Sequence, residues 1–242
     1  MIKIALIGYG KMGKLVEQAA LSRGHLITGI LNSASPKISL SNKDIADADI
    51  CIDFTHPSCV MENLTNLAAL KKSVIMGTTG WYDQFEKVEK IVKNAKIGFL
   101  HAPNFSLGMA LFHKLLIKAA TLIEPFDAYD VSGLEIHHSQ KADNPSGTAL
   151  ALSKSLNTHF KRKKEGVQFS SIRVGSVPGT HSIIFDSNAD TITLTHSARN
   201  REGFAEGAVL AAEWLYGKEG MFTLDDMLAT KHSSDEYRLE AL

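Results

Sequence analysis

Apolar and amphipathic stretches alternate through the first hundred residues. Continuous apolar runs that predict strands cover residues 2–7, 26–31, 49–54, 73–76 and 97–101. Amphipathic stretches that predict helices begin near Met12, Pro57 and Asp83. Strands that alternate with helices are typical of a parallel sheet, and uninterrupted apolar strands indicate that helices cover both faces. The pattern therefore predicts an α/β domain with a Rossmann-type, doubly wound parallel sheet.

After Phe105 the pattern changes. A long helix is predicted over residues 107–122, and period-two runs predict strands at 131–136, 168–174, 181–185 and 191–197. These runs indicate a smaller α+β domain with an open, mainly antiparallel sheet. A helix with an apolar face over residues 204–215 is predicted to return to the first domain. The expected domains are residues 1–105 with 201–242, and residues 106–200.

Composition limits the classes of partner. The chain has 242 residues and is 44% hydrophobic, which allows a sizeable core. Lys and Arg together number 26, as do Asp and Glu, so no general basic field favours nucleic acid. The basic run at residues 161–164 is interpreted as a solvated loop after a helix, in preference to a phosphate patch. No nucleic-acid partner is predicted.

A cytoplasmic location is expected, because the sequence shows no recognisable targeting signal and contains only two cysteines. The apolar run at residues 2–7 is too short for a signal peptide, and no stretch approaches the ~18 apolar residues of a membrane span. Cys51 and Cys59 lack metal-type spacing, and two such thiols suit a reducing compartment. A reactive Cys59 at a helix start is the alternative to a structural one. Neither a membrane partner nor a metal centre is predicted.

A glycine loop follows the first predicted strand and opens a helix. It has the pattern G-x-G-x-x-G and consists of Gly8, Tyr9, Gly10, Lys11, Met12 and Gly13. Glycines allow a tight turn and close approach of the backbone to a pyrophosphate, and the helix N-terminus attracts its charge. In this context the loop predicts dinucleotide binding, with a plain glycine turn as the alternative.

The end of the second strand bears on the choice between NAD and NADP. An enzyme that prefers NAD usually carries an acidic residue there, whereas this chain has Asn32 and Ser33. This position therefore lacks a carboxylate that would repel the 2′-phosphate of NADP, and Lys11 can approach that phosphate. The hypothesis is that NADP is accepted or preferred and that NAD is usable.

Two further loops follow predicted strands at the edge where ligands bind in open α/β sheets. The candidate cofactor contacts are Gly77, Thr78 and Thr79 in one loop, and Ala102, Pro103, Asn104 and Phe105 in the other. Small residues and hydroxyls suit loops that pass close to a nicotinamide and its ribose. Ordinary connections are the alternative interpretation.

The segment from residue 133 to residue 149 concentrates groups that transfer protons. Hydride transfer leaves negative charge on the substrate, which a proton or a cation must compensate. His137 and Lys141 are the candidate catalytic residues. Strand alternation sends His137 and His138 to opposite faces unless the strand ends there. One site histidine and one packed histidine therefore remain an alternative.

The same segment also contains a predicted anion site. Ser146 can cap the helix that follows, and Gly147 and Thr148 offer backbone N–H groups and a hydroxyl to a carboxylate. Gly147 lets an anion approach the main chain closely. Because Lys141 lies six residues before Gly147 in the same loop, the segment predicts that proton donors and a carboxylate site lie close together.

Over essentially its whole length the chain resembles the dihydrodipicolinate reductase family. The most specific part of the resemblance is the pattern E-x-H-H-x-x-K-x-D-x-P-S-G-T-A, which spans residues 135–149. The glycine loop and the segments at residues 53–55, 77–80 and 102–106 carry the rest. Asn32 and Ser33 stand where many members have an acidic and a basic residue.

The resemblance implies an activity and residue roles. It implies reduction of a cyclic, unsaturated pyridine dicarboxylate precursor to tetrahydrodipicolinate by NADPH or NADH, in the lysine and diaminopimelate pathway. His137 would be the proton donor, Lys141 the catalytic lysine and His138 a substrate ligand, while Gly147 and Thr148 would bind a carboxylate. The cofactor contacts would fall on the three loops named above, and the chains would assemble as homotetramers through the second domain.

Two other functions compete with this interpretation. A different two-domain NADP-dependent oxidoreductase would share the first domain, and a redox sensor would bind the dinucleotide without turnover. Both alternatives leave the proton donors and the anion site between His137 and Thr148 unexplained.

Overall fold

The computed structural model describes residues 1–32 and 43–230. The strands, in chain order, are β1 (Lys3–Ile7), β2 (Leu26–Leu31), β3 (Ile50–Asp53), β4 (Ser73–Met76), β5 (Gly98–His101), β6 (Asp130–His137), β7 (Phe169–Arg173), β8 (Thr180–Asp186), β9 (Thr191–Ser197) and β10 (Gly220–Thr223). The helices are α1 (Lys11–Ser22), α2 (Lys43–Ala46), α3 (Val60–Ala69), α4 (Phe85–Ala95), α5 (Leu107–Ile123), α6 (Gly147–His159), α7 (Glu202–Leu215) and α8 (Leu224–Thr230). Within the described ranges, none of these helices has the length and apolar character to cross a bilayer.

The chain forms two compact units, which are described separately. The first contains Met1–Ser106 and the part of the chain that begins at Glu202. Its sheet has six parallel strands in the order β10-β5-β4-β3-β1-β2. Helices α1 and α7 pack against each other, as do α3 and α4. The core strand β3 is buried along its whole length, which explains its continuous apolar sequence.

The hydrophobic pattern of the sequence does not predict one strand of this sheet. Strand β10 is four residues long, half-buried, and pairs with β5 at the edge. A short edge strand has neither a buried apolar run nor regular alternation, so only its pairing with β5 identifies it. The short helices α2 and α8 also lie outside the predicted elements.

The second unit is Leu107–Arg201. Its sheet has the order β7-β6-β8-β9, with β6–β8 and β8–β9 antiparallel and β6–β7 parallel. The parallel pair arises because the chain crosses over through α6 between β6 and β7. Helices α5 and α6 pack together, and Phe112, Leu156 and Ile183 are among the buried core residues. The predicted fold class, a Rossmann-type parallel sheet plus a mainly antiparallel α+β unit, is confirmed.

The basic run at residues 161–164 is engaged locally in this second unit. Lys163 Nζ donates to Asp130 Oδ1 at 2.7 Å and to the Val131 carbonyl at 2.9 Å. The Arg162 guanidinium lies 4.4 Å from the centroid of the Phe160 ring. These contacts account for two of the four basic side chains through interactions within the chain.

Candidate active site

The glycine loop joins the end of β1 to the start of α1 in the first unit. Gly8 has a φ of +95°, and a Cβ there would lie 2.2 Å from the Phe54 carbonyl oxygen. A Cβ on Gly13 would lie 2.3 Å from the Gly8 carbonyl oxygen. Both positions therefore require glycine, one for the turn and one for close packing of helix on loop.

Gly10 is different because nothing lies within 4 Å of the position its Cβ would take. It immediately precedes α1 and has no side chain to cap the helix, and no acidic residue occupies the first turn. The first N–H groups of α1 are thus open to an anion in front of the helix. This space and these donors fit a dinucleotide pyrophosphate.

The other residues proposed for this loop are placed as follows. Lys11 is exposed, Met12 and Tyr9 are half-buried, and the Tyr9 hydroxyl donates a hydrogen bond to Glu17. Asn32 is exposed just after β2, and the Gly8 N–H donates to the Leu31 carbonyl at 2.8 Å. Ser33 lies outside the described residues.

Phe54, which follows β3, contacts all three predicted cofactor loops. Its carbonyl faces Gly8, its ring fills the position of a Cβ on Gly77 at 2.2 Å, and it meets the Phe105 ring edge-on at 6.1 Å. The loops come together because β1, β3, β4 and β5 are parallel neighbours whose carboxyl ends share one edge. Sequence reasoning assigned Phe54 no role beyond the family pattern.

Asp53, at the end of β3, is fully buried and fixes the loop that contains Thr78. Its Oδ1 accepts hydrogen bonds from the Thr55 N–H and hydroxyl and from the Thr78 hydroxyl, and its Oδ2 accepts from Asn63 Nδ2. Burial raises the pKa of Asp53, and these hydrogen bonds oppose the shift only in part. The Thr78 hydroxyl is thereby committed to Asp53, whereas Thr79 is exposed.

The raised pKa of Asp53 predicts a pH-dependent difference in stability. Because the folded-state pKa exceeds the unfolded one, the ionised carboxylate costs stability at neutral pH, and this cost disappears as the pH falls through the folded-state pKa. In Asp53→Asn one oxygen still accepts from Thr55 and Thr78, and no charge titrates. Urea unfolding at a series of pH values from 7 down to 4 should show the wild type gaining stability relative to the variant as the pH falls. An unchanged or reversed difference would contradict this.

The third predicted loop lies at the same edge. Ala102 and Phe105 are buried, Pro103 is exposed, and Asn104 is half-buried. Asn104 Oδ1 accepts a hydrogen bond from the Ser106 N–H at 2.8 Å, which shapes the turn after β5. Pro103 and Asn104 are therefore the accessible members of this loop.

In the second unit, Glu135 on β6 ties together the segment that the sequence identified as a site. Glu135 is 0% exposed, and its Oε1 accepts hydrogen bonds from the Ser146 N–H, the Ser171 hydroxyl and Arg173 Nη2 at 2.7–2.9 Å. Burial raises its pKa, but these donors outweigh it and hold the pKa at about 2. Arg173 also donates to the Asp143 carbonyl at 2.7 Å. The carboxylate therefore joins β6 to the turn and to the start of α6.

His137 lies on the buried face of β6 with Glu135. Its Nε2 is 3.4 Å from His181 Nε2 and 3.4 Å from Glu135 Oε2. Burial lowers the pKa of His137, and burial together with His137 lowers that of His181 to about 4. The His181 imidazole is consequently neutral at pH 7. Sequence reasoning missed His181, although period-two alternation along β8 places it on the inner face, opposite Glu135.

His138 follows the end of β6 and is half-buried. Lys141 N donates to the His138 carbonyl at 3.1 Å, which makes a tight turn directly after the strand. The strand does end at the histidine pair, as both histidines facing one site would require. His137 is nevertheless an interior residue, whereas His138 is not.

The Asp143 carboxylate occupies the predicted anion site. Lys141 Nζ lies 2.8 Å from Asp143 Oδ1, and the Gly147 N–H donates to Asp143 Oδ2 at 3.3 Å. Ser146 caps α6 through its hydroxyl, which accepts from the Ala149 N–H, and Thr148 is half-buried in the first turn. The structure therefore brings an ammonium and a helix N-terminus onto one carboxylate.

Two family models match nearly the whole chain. Residues 2–105 match the model described as "Dihydrodipicolinate reductase, N-terminus", and residues 108–228 match "Dihydrodipicolinate reductase, C-terminus". A curated relative from Christiangramia forsetii, named 4-hydroxy-tetrahydrodipicolinate reductase, is 38% identical over 239 residues, which cover 94% of this chain and 98% of the relative. A relative of the same name from Archaeoglobus fulgidus is 34% identical, covering 94% and 100%.

Solved structures agree on the fold. A dipicolinate-bound dihydrodipicolinate reductase from Paenisporosarcina has a TM-score of 0.76 at 22% identity, covering 92% of this chain and 97% of that one. A probable dehydrogenase from Thermotoga maritima has a TM-score of 0.59 at 10% identity. The resemblance drawn from the sequence pattern is confirmed by the family models and curated relatives. This chain belongs to the dihydrodipicolinate reductase family.

Proposed function

We propose that this chain reduces 4-hydroxy-tetrahydrodipicolinate, by way of dihydrodipicolinate, to tetrahydrodipicolinate with NADPH or NADH in lysine and diaminopimelate biosynthesis. Two curated relatives named 4-hydroxy-tetrahydrodipicolinate reductase align with this chain over 98% and 100% of their own length. The single structural observation that carries the proposal is the convergence of Lys141 Nζ and the Gly147 N–H on a carboxylate. A substrate with two carboxylates suits such a site.

The substrate site is built on the start of α6. The Asp143 carboxylate stands in for a substrate carboxylate, which takes its place between Lys141 and Gly147. Gly147 has nothing within 4 Å of its Cβ position, so a carboxylate can reach the backbone there. His138 and Thr148 supply further hydrogen bonds to the substrate. The dipicolinate in the Paenisporosarcina structure is a planar dicarboxylate of this class.

The chemistry combines one hydride and one proton. A bound nicotinamide dinucleotide, the cofactor type of this family, supplies the hydride. Lys141 and His137 supply the proton and compensate the negative charge that develops on the substrate. The lowered pKa of His137 makes its protonated form a stronger acid than an ordinary histidine.

The cofactor is held by the first domain, for which we propose residues 1–105 with 201–242, and NADP is favoured over NAD. The pyrophosphate lies in the open space at Gly10, in front of α1. No acidic residue follows β2 at Asn32 or Ser33, and the exposed Lys11 can pair with a 2′-phosphate.

Lys11→Ala tests this preference. Loss of the ammonium should raise the Kd for NADPH by roughly tenfold, about 1.4 kcal/mol, and leave the Kd for NADH nearly unchanged. Fluorescence titration of both cofactors measures the two constants. Lys14→Ala is the matched control, because Lys14 is a second lysine in α1 and its Nζ lies 5.9 Å from the centroid of the Tyr9 ring. Equal NADPH affinity in the wild type and Lys11→Ala would remove Lys11 from this role.

Gly147→Ala tests the carboxylate site. A methyl group there meets no atom of the chain within 4 Å, so the fold should be retained. It occupies the position through which a carboxylate approaches the backbone, so inhibition by pyridine-2,6-dicarboxylate should weaken by a factor of about 10–100. Leu150→Ala, an exposed change in the same helix, is the control. Unchanged inhibition in Gly147→Ala would place the dicarboxylate elsewhere.

Cytoplasmic location and a homotetramer complete the proposal. The second domain, for which we propose residues 106–200, is the substrate-binding and oligomerisation domain. The face of its sheet opposite Glu135 carries Leu134, Ile136 and the exposed Ile172 among serines and threonines. Such a mixed, partly apolar face suits association between copies of the chain. Light scattering tests the assembly, and a monomer at micromolar concentration would contradict it.

The decisive assay follows the absorbance of the reduced nicotinamide with freshly prepared substrate. We expect oxidation of NADPH, and to a smaller extent of NADH. A sensor that binds dinucleotide without turnover would show binding and no oxidation, and another NADP-dependent oxidoreductase would require a different substrate.

A further inference from the structure

Three buried ligand atoms face one another in the second unit. They are Glu135 Oε2, His137 Nε2 and His181 Nε2, and their residues are 0%, 7% and 3% exposed. The His137–His181 and His137–Glu135 distances are both 3.4 Å, and the His181–Glu135 distance is 3.6 Å. The three atoms thus form a nearly equilateral triangle.

The size of this triangle matches metal coordination better than direct hydrogen bonding. Hydrogen bonds that involve nitrogen and oxygen usually span about 2.7–3.2 Å, which is shorter than all three sides. A tetrahedral ion with bonds of about 2.0–2.2 Å separates its ligand atoms by roughly 3.3–3.5 Å. One ion therefore fits in contact with all three atoms, and the Ser146 hydroxyl oxygen, 3.3 Å from His181 Nε2, borders the same position.

The surroundings hold these ligands in place. Glu135 Oε1 accepts all three hydrogen bonds that are made to the carboxylate. The buried Oε2 therefore has no hydrogen-bond partner among the described residues. The His137 ring donates to the Pro178 carbonyl, and a Cβ on Gly179 would lie 2.8 Å from its Cε1. A fixed carboxylate and an imidazole bonded to a backbone carbonyl are the usual supports of a metal site.

We propose that Glu135, His137 and His181 bind one divalent transition-metal ion of the Zn²⁺ class. Two imidazoles and one carboxylate favour Zn²⁺ or Co²⁺ over Mg²⁺ or Ca²⁺, which prefer ligand sets made of oxygen. Local sequence patterns do not predict this site, because its third ligand, His181, lies 44 residues beyond His137 and reaches the site only through the pairing of β8 with β6.

Metal binding at this site turns off the reductase. The ion takes the Nε2 of His137, so the imidazole can no longer carry a proton there. This consequence rests on the proposed role of His137, whereas metal binding itself does not. Zn²⁺ should therefore inhibit turnover reversibly, and EDTA should restore it.

Cobalt titration tests the binding directly. The full chain carries Cys59→Ser, so that the half-buried thiol cannot contribute, and is freed of metal with EDTA before Co²⁺ is added. We expect one equivalent to produce the intense visible absorption of tetrahedral Co²⁺, and Zn²⁺ to abolish it. His181→Ala should remove the signal, while the matched control His159→Ala should keep it, because His159 lies at the end of α6 and bonds to the Ser155 carbonyl.

The outcomes separate the proposals. An absent cobalt signal in the folded protein, or an equal signal in His181→Ala, overturns the metal site whatever the activity. If His181→Ala does not fold, X-ray absorption of the Zn²⁺-loaded protein decides, because two imidazole nitrogens at about 2.0–2.1 Å are expected and their absence overturns the site. A cobalt signal in a protein without turnover of the pathway substrate would count against the proposed function and leave the metal site standing.

Discussion

Lys141→Ala should lower kcat by a factor of about 10²–10⁴, the usual contribution of a positioned proton donor. The ammonium lies 2.8 Å from the Asp143 carboxylate in the proposed substrate site, so on that proposal its loss removes both a proton source and a positive charge beside the substrate. The Kd for NADPH should not change, because the glycine loop belongs to the other compact unit. Single-turnover kinetics and cofactor titration measure the two effects separately.

His137→Gln is the companion variant. It should also lower kcat strongly, but its effect includes the loss of a buried ring from the cluster with Glu135 and His181. His138→Gln provides the contrast, since a residue that only binds substrate should raise KM more than it lowers kcat. Turnover near the wild-type rate in Lys141→Ala would remove Lys141 from the mechanism, and normal turnover in His137→Gln would do the same for His137.

Gly8→Ala should damage both stability and cofactor binding. The residue has a φ of +95°, and its new Cβ would collide with the Phe54 carbonyl oxygen at 2.2 Å. Because that oxygen belongs to the backbone, the loop must shift, at a cost of about 2–4 kcal/mol in the free energy of unfolding. The shift also displaces Phe54, which contacts the loops containing Gly77 and Phe105, so NADPH binding should be largely lost.

Gly10→Ala separates the two effects. Its Cβ meets nothing within 4 Å, so the free energy of unfolding should stay close to that of the wild type. The methyl group nevertheless stands in front of α1, where the pyrophosphate is proposed to bind, so the Kd for NADPH should rise at least tenfold. Urea unfolding and cofactor titration give both quantities. Undiminished cofactor affinity in Gly10→Ala would show that the dinucleotide does not approach this loop.

Local periodicity accounts for most of the fold that could be predicted. The strands β1 and β3 are continuous apolar runs because both faces of their sheet are buried. Strand β9 alternates between apolar and polar residues, as expected for a strand with one buried face. The edge strand β10 shows neither pattern, since it is short and half-buried. The fixed spacing of residues 135–149 likewise indicates a family without any knowledge of the tertiary structure.

The two kinds of sheet, the glycine loop and the family follow from the amino-acid sequence alone, because each depends on the identity and spacing of residues that are near one another in the chain. In contrast, the tertiary structure sets the environment of the candidate site. It placed His181 of β8 beside His137, directed Arg173 of β7 to Glu135, and set the Asp143 carboxylate against Lys141. These contacts depend on strand register and burial, which are long-range properties that local sequence does not specify.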